Sequence, residues 1–413
     1  MKRYCKDVEF TEDFIKKSLL NCLKKRWKRK DVSFFLAEYA ISCGLCSEYD
    51  LKTLARKIRE NIALIKDDII DDLIPLISHE LYLEIKEERI ELAPIVYQNR
   101  VDKVSGKVRK IGLSSIKQLV YDYIAVNAIK SMVDAKCGMF QCASRKGKGQ
   151  IYGVRAIKKW LRTDPHGTKY CDKDDIKKYF PSVNHERLIA LLNRDIKNRK
   201  VLYVLKTLIA TYGDVGICIG SYLSQHLANY YLSYAYHHIE DNCFYTRRGK
   251  RINSIDHKLF YMDDIILFSS NKKQLAIAKG VLKEFLTTSL DLQCKLGQST
   301  LNKTEKIDMM GYVILKKHTI ISKRNWKRIR RAYSKAKKYD DISLHDARRI
   351  CSFHGQINTS NHRKISRKYK TAAVERKAKE KIRRCDAILQ KSSKKATNTL
   401  DFQTVKQTCL YMI

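Results

Sequence analysis

From Phe10 to about Ile95 apolar residues recur every three to four positions, in FTEDFIKKSLLNCLKK, LKTLARKIRENIALI and DDIIDDLIPLISHELYLEI. That period gives each segment one apolar stripe, so the chain is expected to open with an all-helical section. Thr11, followed by Glu12 and Asp13, offers an N-cap and first-turn acids, and the Lys and Arg run after Leu23 suits a helix C-terminus. The texture changes at Val96. VYQNRVDKVSGKVRKIGL predicts a basic hairpin around Ser105-Gly106, IKQLVYDYIAVNAIKSMV a helix, and QCASRKGKGQIYG a glycine-spaced loop. Strand-like runs follow at Lys169 to Ile176, Leu259 to Phe268 and Met309 to Leu315, separated by helical stretches at His185 to Asn193, Ser224 to Ile239 and Lys272 to Leu286. Such alternation predicts a small mixed sheet backed by helices. After Lys316 the pattern is helical and very basic, without a proline, so a boundary is expected near Lys316 and fraying beyond Gln390.

Composition narrows the class. A chain of 413 residues with 44% apolar residues and four prolines is globular and long enough for two or three packed subdomains. Lys and Arg total 83 against 44 Asp and Glu, a net charge of +39 spread along the chain. A polyanion is the expected partner, because lysines and arginines on a nucleic acid release its condensed counterions. MKRYCKDVEFTEDF carries no apolar run of signal-peptide length, and no apolar segment reaches the roughly 18 residues of a membrane span. The expected compartment is therefore the cytoplasm, with no membrane partner. Thirteen cysteines, an odd count at irregular spacing, suggest reduced thiols, and the lone C-x-x-C of Cys43 and Cys46 is taken as a pair of core thiols.

Two acidic clusters carry the candidate chemistry. LFYMDDIILFS, Leu259 to Ser269, sets two adjacent carboxylates among eight apolar residues of eleven. Asp is depleted in strands, and a buried carboxylate costs several kcal/mol without compensation. A lysine or arginine, a turn open to water, or a metal ion could supply it. The second cluster, YCDKDDIKKYFPSV at 170–183, again ends a short strand. Two acidic strands in one sheet suggest a shared cation, and two-metal phosphoryl transfer needs carboxylates converging on ions roughly 3.5–4 Å apart. Oxygen ligands favour Mg²⁺, with Mn²⁺ as a substitute.

YMDD at 261–264 together with DIKKYFPSV at 175–183 resembles motifs C and A of reverse transcriptases. GICIGSYLSQHLANYYL at 216–232 resembles motif B, IDMMGYVI at 307–314 the primer-grip region, and RRICSFHGQINTSNHRK at 348–364 the thumb of the bacterial enzymes. KVRKIGLSSIKQLVYDYI and SRKGKGQIYG resemble the two finger motifs, so the likeness runs in order from about residue 96 to 370. It implies an α+β right-hand polymerase fold: a helical N-terminal extension over 1–95, fingers over 96–165, a palm over 166–316 holding motifs A to D and the primer grip in a small antiparallel sheet backed by helices, and a basic helical thumb and tail over 317–413. The implied activity is RNA-directed DNA synthesis from deoxynucleoside triphosphates on an RNA template with two Mg²⁺ ions.

Residue roles follow from the resemblance. Asp175 and Asp263 are implied as metal ligands, with Asp264 completing the pair and the Ile176 carbonyl adding a backbone oxygen. Asp172 and Asp174 remain rivals; Asp175 is preferred because only Asp175-Ile176-Lys177-Lys178-Tyr179-Phe180 fits the family spacing. Phe180 falls where these enzymes hold a ring against the sugar 2′ position. Arg109, Lys110, Arg145, Lys146 and Lys148 would cradle the triphosphate, with Gly147 and Gly149 letting the backbone approach; solvated or nucleic-acid-tracking charge is the bland reading of each. Gly220, Ser224 and Gln225 would shape the floor beneath the nascent base pair. Tyr261, Met262, Met310, Gly311 and Tyr312, with Arg348, Arg349, Arg363 and Lys364 of the thumb, would hold primer and template, although an apolar strand packing on the palm also accounts for Met310 to Tyr312.

Ile219-Gly220 and Ser224-Gln225 stand where group II intron enzymes usually have Gln-Gly and Ser-Pro, and no Val-Thr-Gly of the retron thumb occurs. The Ile-Gly-x-x-x-Ser-Gln form resembles diversity-generating retroelement enzymes and the stand-alone reverse transcriptases of bacterial phage defence. The helical extension and the basic C-terminal helices, without an RNase H, integrase or nuclease motif, favour the defence group, copying a dedicated noncoding RNA and working alone, as a homo-oligomer or with a protein partner. A catalytically silent RNA-binding module of the same fold is the alternative from another class; the intact carboxylates disfavour it.

Overall fold

The computed structural model describes residues 3–46, 48–102, 106, 108–295, 302–339 and 341–395, without the side chains of 302, 303 and 388–395. Ser105, expected in the first hairpin turn, lies outside the described residues, as does most of the tail expected to fray. The opening section holds α1 (Glu12–Leu23), α2 (Lys30–Ser42), α3 (Leu51–Asp68) and α4 (Ile74–Lys86), the last two joined through a π-helical turn at Ile69–Leu73. Thr11 caps α1 by accepting a hydrogen bond from the Phe14 N–H at 3.2 Å, and Asp50 accepts from Lys52 and Thr53 at the start of α3. Helix stops at Lys86, short of Ile95. Among the described residues no helix is long and apolar enough to cross a membrane, and no two cysteines are joined by a disulfide. Of the supposed core pair, Cys46 is buried but Cys43 is exposed, because it follows the last turn of α2.

β1 (Val96–Val101) and β2 (Val108–Leu113) form the basic antiparallel hairpin, followed by α5 (Ile116–Lys136), which is buried along most of its length. Then come β3 (Gln141–Cys142), α6 (Gln150–Thr163), β4 (Tyr170–Asp175), the short α7 (Tyr179–Ser182), α8 (His185–Asp195), α9 (Arg199–Ala210) and α10 (Tyr222–Asn242). A second hairpin, β5 (Phe244–Arg247) and β6 (Lys250–Asn253), precedes β7 (His257–Tyr261), β8 (Asp264–Ser269), α11 (Lys272–Thr288) and β9 (Asn302–Lys303). The stretch expected to be one strand, Met309 to Leu315, is instead the middle of a three-stranded meander of β10 (Lys306–Met309), β11 (Tyr312–Leu315) and β12 (Thr319–Ile321). Its turn falls at Met310-Gly311, whose φ values of +55° and +77° suit a tight hairpin. β12 pairs with β11, so this sheet runs across residue 316. α12 (Lys323–Lys338), α13 (Leu344–Thr359), α14 (Arg363–Tyr369) and α15 (Thr371–Lys395) complete the chain described.

The central sheet has the order β3-β7-β8-β4-β9 and is covered on both faces. Phe260, Ile265 and Leu267 enter a core shared with the N-terminal helices, α5, α9, α10 and α11. Leu259, Ile266 and Phe268 enter a second core with α6, the meander and the C-terminal helices. This double burial is why LFYMDDIILFS reads as a continuous apolar run: alternation shows only where one face meets water. Each fully buried Leu, Ile or Phe contributes roughly 1.5–3 kcal/mol.

One buried polar cluster ties the N-terminus to the sheet's helices. Asp195, fully buried at the end of α8, accepts from Lys136 Nζ at 2.7 Å and Tyr230 Oη at 3.0 Å, and also from Tyr234, while Arg194 Nε lies 3.3 Å away. Its main-chain carbonyl takes the Tyr4 N–H at 2.6 Å. Burial pushes the Asp195 pKa up, but the hydrogen bonds from Lys136 and Tyr234 outweigh this and hold it below the ordinary 3.8. A depressed pKa means that the carboxylate stabilises the fold above its ordinary value, and that this contribution is lost as the pH falls through the folded-state value. Asp195→Ala should destabilise the protein by roughly 3 kcal/mol, because it leaves Lys136 and two tyrosine hydroxyls without their acceptor. Urea unfolding checks this; an unchanged midpoint at neutral pH would show that the cluster contributes nothing.

Candidate active site

β4 and β8 pair antiparallel with Asp175 directly opposite Asp264, and Tyr261 of β7 faces Asp264 from the other side. Met262 and Asp263 make the two-residue turn between β7 and β8, Met262 at φ +52°, an uncommon conformation for a side chain of this kind. The turn is fastened to the end of β4 by the Ile176 N–H, which donates to the Asp263 carbonyl at 3.0 Å, while the Ile176 side chain is fully buried. Three carboxylates therefore meet at one end of the sheet: Asp175, Asp263 and Asp264.

Two lysines meet them. Lys295 Nζ pairs with Asp175 Oδ2, and its N–H donates to the Asp175 carbonyl at 2.9 Å. Lys173 Nζ lies 3.5 Å from Asp264 Oδ1 and donates to the Asp308 carbonyl at 2.9 Å. The compensation left open by the sequence is thus supplied here by lysine. It is incomplete, since Asp175 Oδ1 is buried without a hydrogen-bond partner. Burial, with the charges of Asp264 and Asp175, raises the Asp263 pKa; burial also raises that of Asp264, with Lys173 opposing and Asp175 adding to the shift. Among the described residues no His, Cys, Asp or Glu side chains form a ready cation cage. An oxygen-only donor set, with one carboxylate oxygen unsatisfied and the charged forms of two others disfavoured, nevertheless fits a hard divalent cation.

The rival carboxylates lie on the other face of β4, as strand alternation requires. Asp172 and Asp174 are buried against α11, with Lys279 Nζ 3.2 Å from Asp172 Oδ1, and burial together with the Asp172 charge pushes Asp174 up to about 6. Tyr179 and Phe180 also part company. Tyr179 is core, its hydroxyl donating to the Ala228 carbonyl at 2.6 Å, whereas Phe180 is only partly buried and meets the Tyr179 ring edge-on at 5.7 Å.

The finger and motif B residues fall into unlike environments. Arg109 is exposed on β2, 3.7 Å from Asp102, and Lys110 Nζ lies over the Tyr97 ring at 4.6 Å. Arg145 turns inward, donating to the Gly138 and Gln141 carbonyls at 2.8 and 2.9 Å, so it braces its own loop; Lys146 is exposed, and burial lowers the pKa of Lys148. Gly147, at φ +75°, and Gly149 have open space where a side chain would stand. Ser144 of that loop donates to Gln225 Oε1 at 2.8 Å, which joins it to α10. Gly220, at φ +125°, packs so closely on β2 that a Cβ would stand 2.7 Å from the Gly112 carbonyl oxygen, and Gly112 N–H donates to the Ile219 carbonyl at 2.9 Å. Ser224 is fully buried.

Of the residues expected to touch primer and template, Met310 and Tyr312 are core side chains: Met310 fills the space beside Gly153 of α6, and Tyr312 donates to the Gln356 carbonyl at 3.3 Å. Packing of an apolar hairpin accounts for them, and only the Gly311 turn between them is partly exposed. Tyr261 and Met262 are half-buried. Arg349 is engaged by Asp346 at 3.3 Å, while Arg348 is exposed; Arg363 and Lys364, with Lys158 of α6, line a recess of about 500 Å³.

Sequence reasoning missed Lys173, Lys295, Ser144, Gly112 and Asp122. Lys173 carried a signal, because a residue two places before Asp175 in a strand shares its face. Asp122, buried on α5, accepts from Ser221 Oγ at 2.8 Å and the Tyr222 N–H at 2.9 Å and so holds the start of α10; burial pushes its pKa up to about 6. Lys295 carried no such signal, being 120 positions from its partner.

Residues 101–314 match the family model described as reverse transcriptase (RNA-dependent DNA polymerase). An uncharacterized 91 kDa protein in a cob intron of Schizosaccharomyces pombe is 24% identical over 177 residues, covering 41% of this chain and 21% of that protein. The chain thus spans about a fifth of that relative. Apo telomerase from Candida tropicalis, truncated from its C-terminal domain, superposes with a TM-score of 0.39 at 15% identity, over 56% of this chain and 55% of that one. Telomerase from Candida albicans, in complex with a TWJ fragment of telomeric RNA, gives 0.38 at 11% identity, over 61% and 51%. The family model spans more than half of the sequence and takes in the paired strands β4 and β8 with all three carboxylates, and on that ground the chain belongs to the reverse transcriptase (RNA-dependent DNA polymerase) family.

Proposed function

We propose that this chain is an RNA-directed DNA polymerase whose reaction centre is Asp175, Asp263 and Asp264. The observation that carries the reading is the register of β4 on β8, which sets Asp175 against Asp264 with Asp263 on the adjoining β7–β8 turn, one carboxylate oxygen buried and unsatisfied. Asp175 and Asp263 would hold Mg²⁺, with Asp264 and the Ile176 carbonyl beside them. Held by these carboxylates, such ions would supply Lewis acidity for the primer 3′-hydroxyl and positive charge for the leaving pyrophosphate. Lys173 beside Asp264 and Lys295 beside Asp175 offset part of the repulsion among the carboxylates. The partly exposed Phe180 is the barrier to a 2′-hydroxyl, and the β2 to motif B contact, through Gly112, Ile219 and Gly220, makes the floor for the template base.

The substrates of this reading are an RNA template, a primer end and deoxynucleoside triphosphates, and the net charge of +39 supports strong backbone binding. For the biological setting we favour copying of a dedicated noncoding RNA in bacterial antiphage defence, on the Ile-Gly-x-x-x-Ser-Gln form of motif B together with the helical N-terminal section. A diversity-generating retroelement shares that motif and is the second reading. Sequencing the RNA and DNA that copurify with the protein separates them.

Primed RNA incubated with Mg²⁺ and deoxynucleotides should be extended, and Asp263→Ala or Asp175→Ala should reduce extension to background while leaving nucleic-acid binding within about twofold, since affinity comes from many phosphate contacts. Full activity in either variant sinks the assignment. Phe180→Val should raise ribonucleotide use relative to deoxynucleotide use by on the order of tenfold, because it removes a clash and not an attraction. Single-nucleotide extension with matched triphosphates measures the ratio, and an unchanged ratio rejects Phe180 as the barrier. Ile219 cannot hydrogen-bond through its side chain, so Ile219→Gln should lower the misincorporation frequency, read by sequencing products; an unaltered error spectrum removes Ile219 from the fidelity account.

A further inference from the structure

The hairpin of β5 and β6 contributes nothing to the polymerase centre. It is a two-stranded sheet of its own, joined to neither the central sheet nor the meander. Its neck is anchored: Cys243 and Ser254 are buried, the Ser254 N–H donates to the Cys243 carbonyl at 2.9 Å, and Ser254 Oγ donates to Gln274 Oε1 at 2.9 Å. Beyond the neck it projects into solvent. Arg247, Arg248, Lys250 and Arg251 are all exposed, and residues 243–255 contain no acid. The tip, Arg248-Gly249, has φ values of +51° and +73°, the tight turn that gives a hairpin a fixed, right-handed twist.

Register sorts the side chains into two faces. Tyr245 opposes Ile252 and Arg247 opposes Lys250 on one face, where the apolar pair is half-buried at the base. Phe244 opposes Asn253 and Thr246 opposes Arg251 on the other, and all four are exposed. There the Arg251 guanidinium lies 3.7 Å from the centre of the Phe244 ring, with Nη2 donating to the Asp241 carbonyl at 2.9 Å. The result is a preformed contact of ring and guanidinium at the surface, with Arg248 at the tip and Arg247 and Lys250 on the hairpin's other face. Exposed stacking planes beside a row of positive charge are what unpaired bases and their phosphates bind; a duplex, with its bases already stacked, has no use for the plane.

We propose that this hairpin is a second binding site, outside the catalytic cleft, for single-stranded RNA. A base stacks on the Phe244–Arg251 plane, and Arg247, Arg248 and Lys250 take the flanking phosphates. α10 runs 21 residues from the motif B turn to the hairpin, about 30 Å, so the site lies beyond the reach of the base pair being copied. The choice of RNA rests on the polymerase reading: while product stays paired with the copied template, the unpaired strand on the enzyme is template not yet copied. The site holds that strand and lets it pass.

The test is binding of the full chain, by fluorescence anisotropy without nucleotide, to a primer annealed to RNA templates with a short or a long single-stranded 5′ overhang. Wild type should bind the long overhang more tightly by on the order of tenfold. Arg247→Ala with Arg248→Ala and Lys250→Ala should lose that gain and leave short-overhang affinity and extension unchanged. Phe244→Ala should lose about fivefold on the long overhang alone, and Arg247→Lys with Arg248→Lys should keep most of the gain. Equal loss on both overhangs, no loss, or a gain as large when the overhang is made duplex overturns the proposal. Since binding is read without catalysis, a chain that makes no DNA but keeps the overhang preference retains the site, and a chain that polymerises without the preference does not have it.

Discussion

The structure turns on the antiparallel pairing of β4 with β8. That register decides which of five nearby aspartates meet: Asp175 faces Asp264, and a slip of one residue would bring Asp174 to the end of the sheet and send Asp175 to the helix face. Burial on both faces enforces it. Ile265 and Leu267 belong to one core, and Ile266 and Phe268 to the other, so a slipped strand would have to exchange both sets at once. The cost of gathering like charges at the open end is carried by lysines on the same face and across the site, and the sheet's burial holds the arrangement while they do so.

Around that pairing the remaining contacts act as stops. The Ile176 N–H fixes the Asp263 turn to β4, Asp122 fixes the start of α10, and the contact between Gly112 and Gly220 fixes α10 to the finger hairpin. None of these tolerates a larger neighbour or a lost donor without moving a carboxylate or the turn that leads into α10. α15 reaches back to α3, so the C-terminal helices and the N-terminal section touch beyond the sheet. The N-terminal helices share one core with α5, α9, α10 and α11, which makes them part of the fold that supports the site.

Much of this was legible because chemistry and pattern coincided. The helical opening and the Thr11 cap follow from local spacing, whereas the preference for Asp175 came from the family pattern its neighbours resemble, and Leu259 to Phe268, expected as one strand-like run, is two strands joined at Met262-Asp263. The failures have physical causes. Met309 to Leu315 looked like one strand because a turn made by Met310 and Gly311 carries no polar residue, the methionine being buried against Gly153. Arg145 looked like a phosphate ligand because sequence shows a charge and not its direction; its guanidinium is taken by two carbonyls. Lys295 and the Gly112 contact are long-range and leave no local trace, and the same holds for the free-standing basic hairpin, whose exposure only the fold reveals.

The central claim is that Asp175, Asp263 and Asp264 would form one divalent-cation site. Mn²⁺ binding to the full chain, followed by paramagnetic resonance in the presence of primed RNA and a deoxynucleotide, tests it without reliance on turnover. The account predicts bound Mn²⁺ in wild type and its loss in both Asp175→Asn and Asp263→Asn, with Asp172→Asn, on the opposite face of β4, retaining it. Binding that survives both active-face substitutions, or that is lost only in Asp172→Asn, would contradict the account.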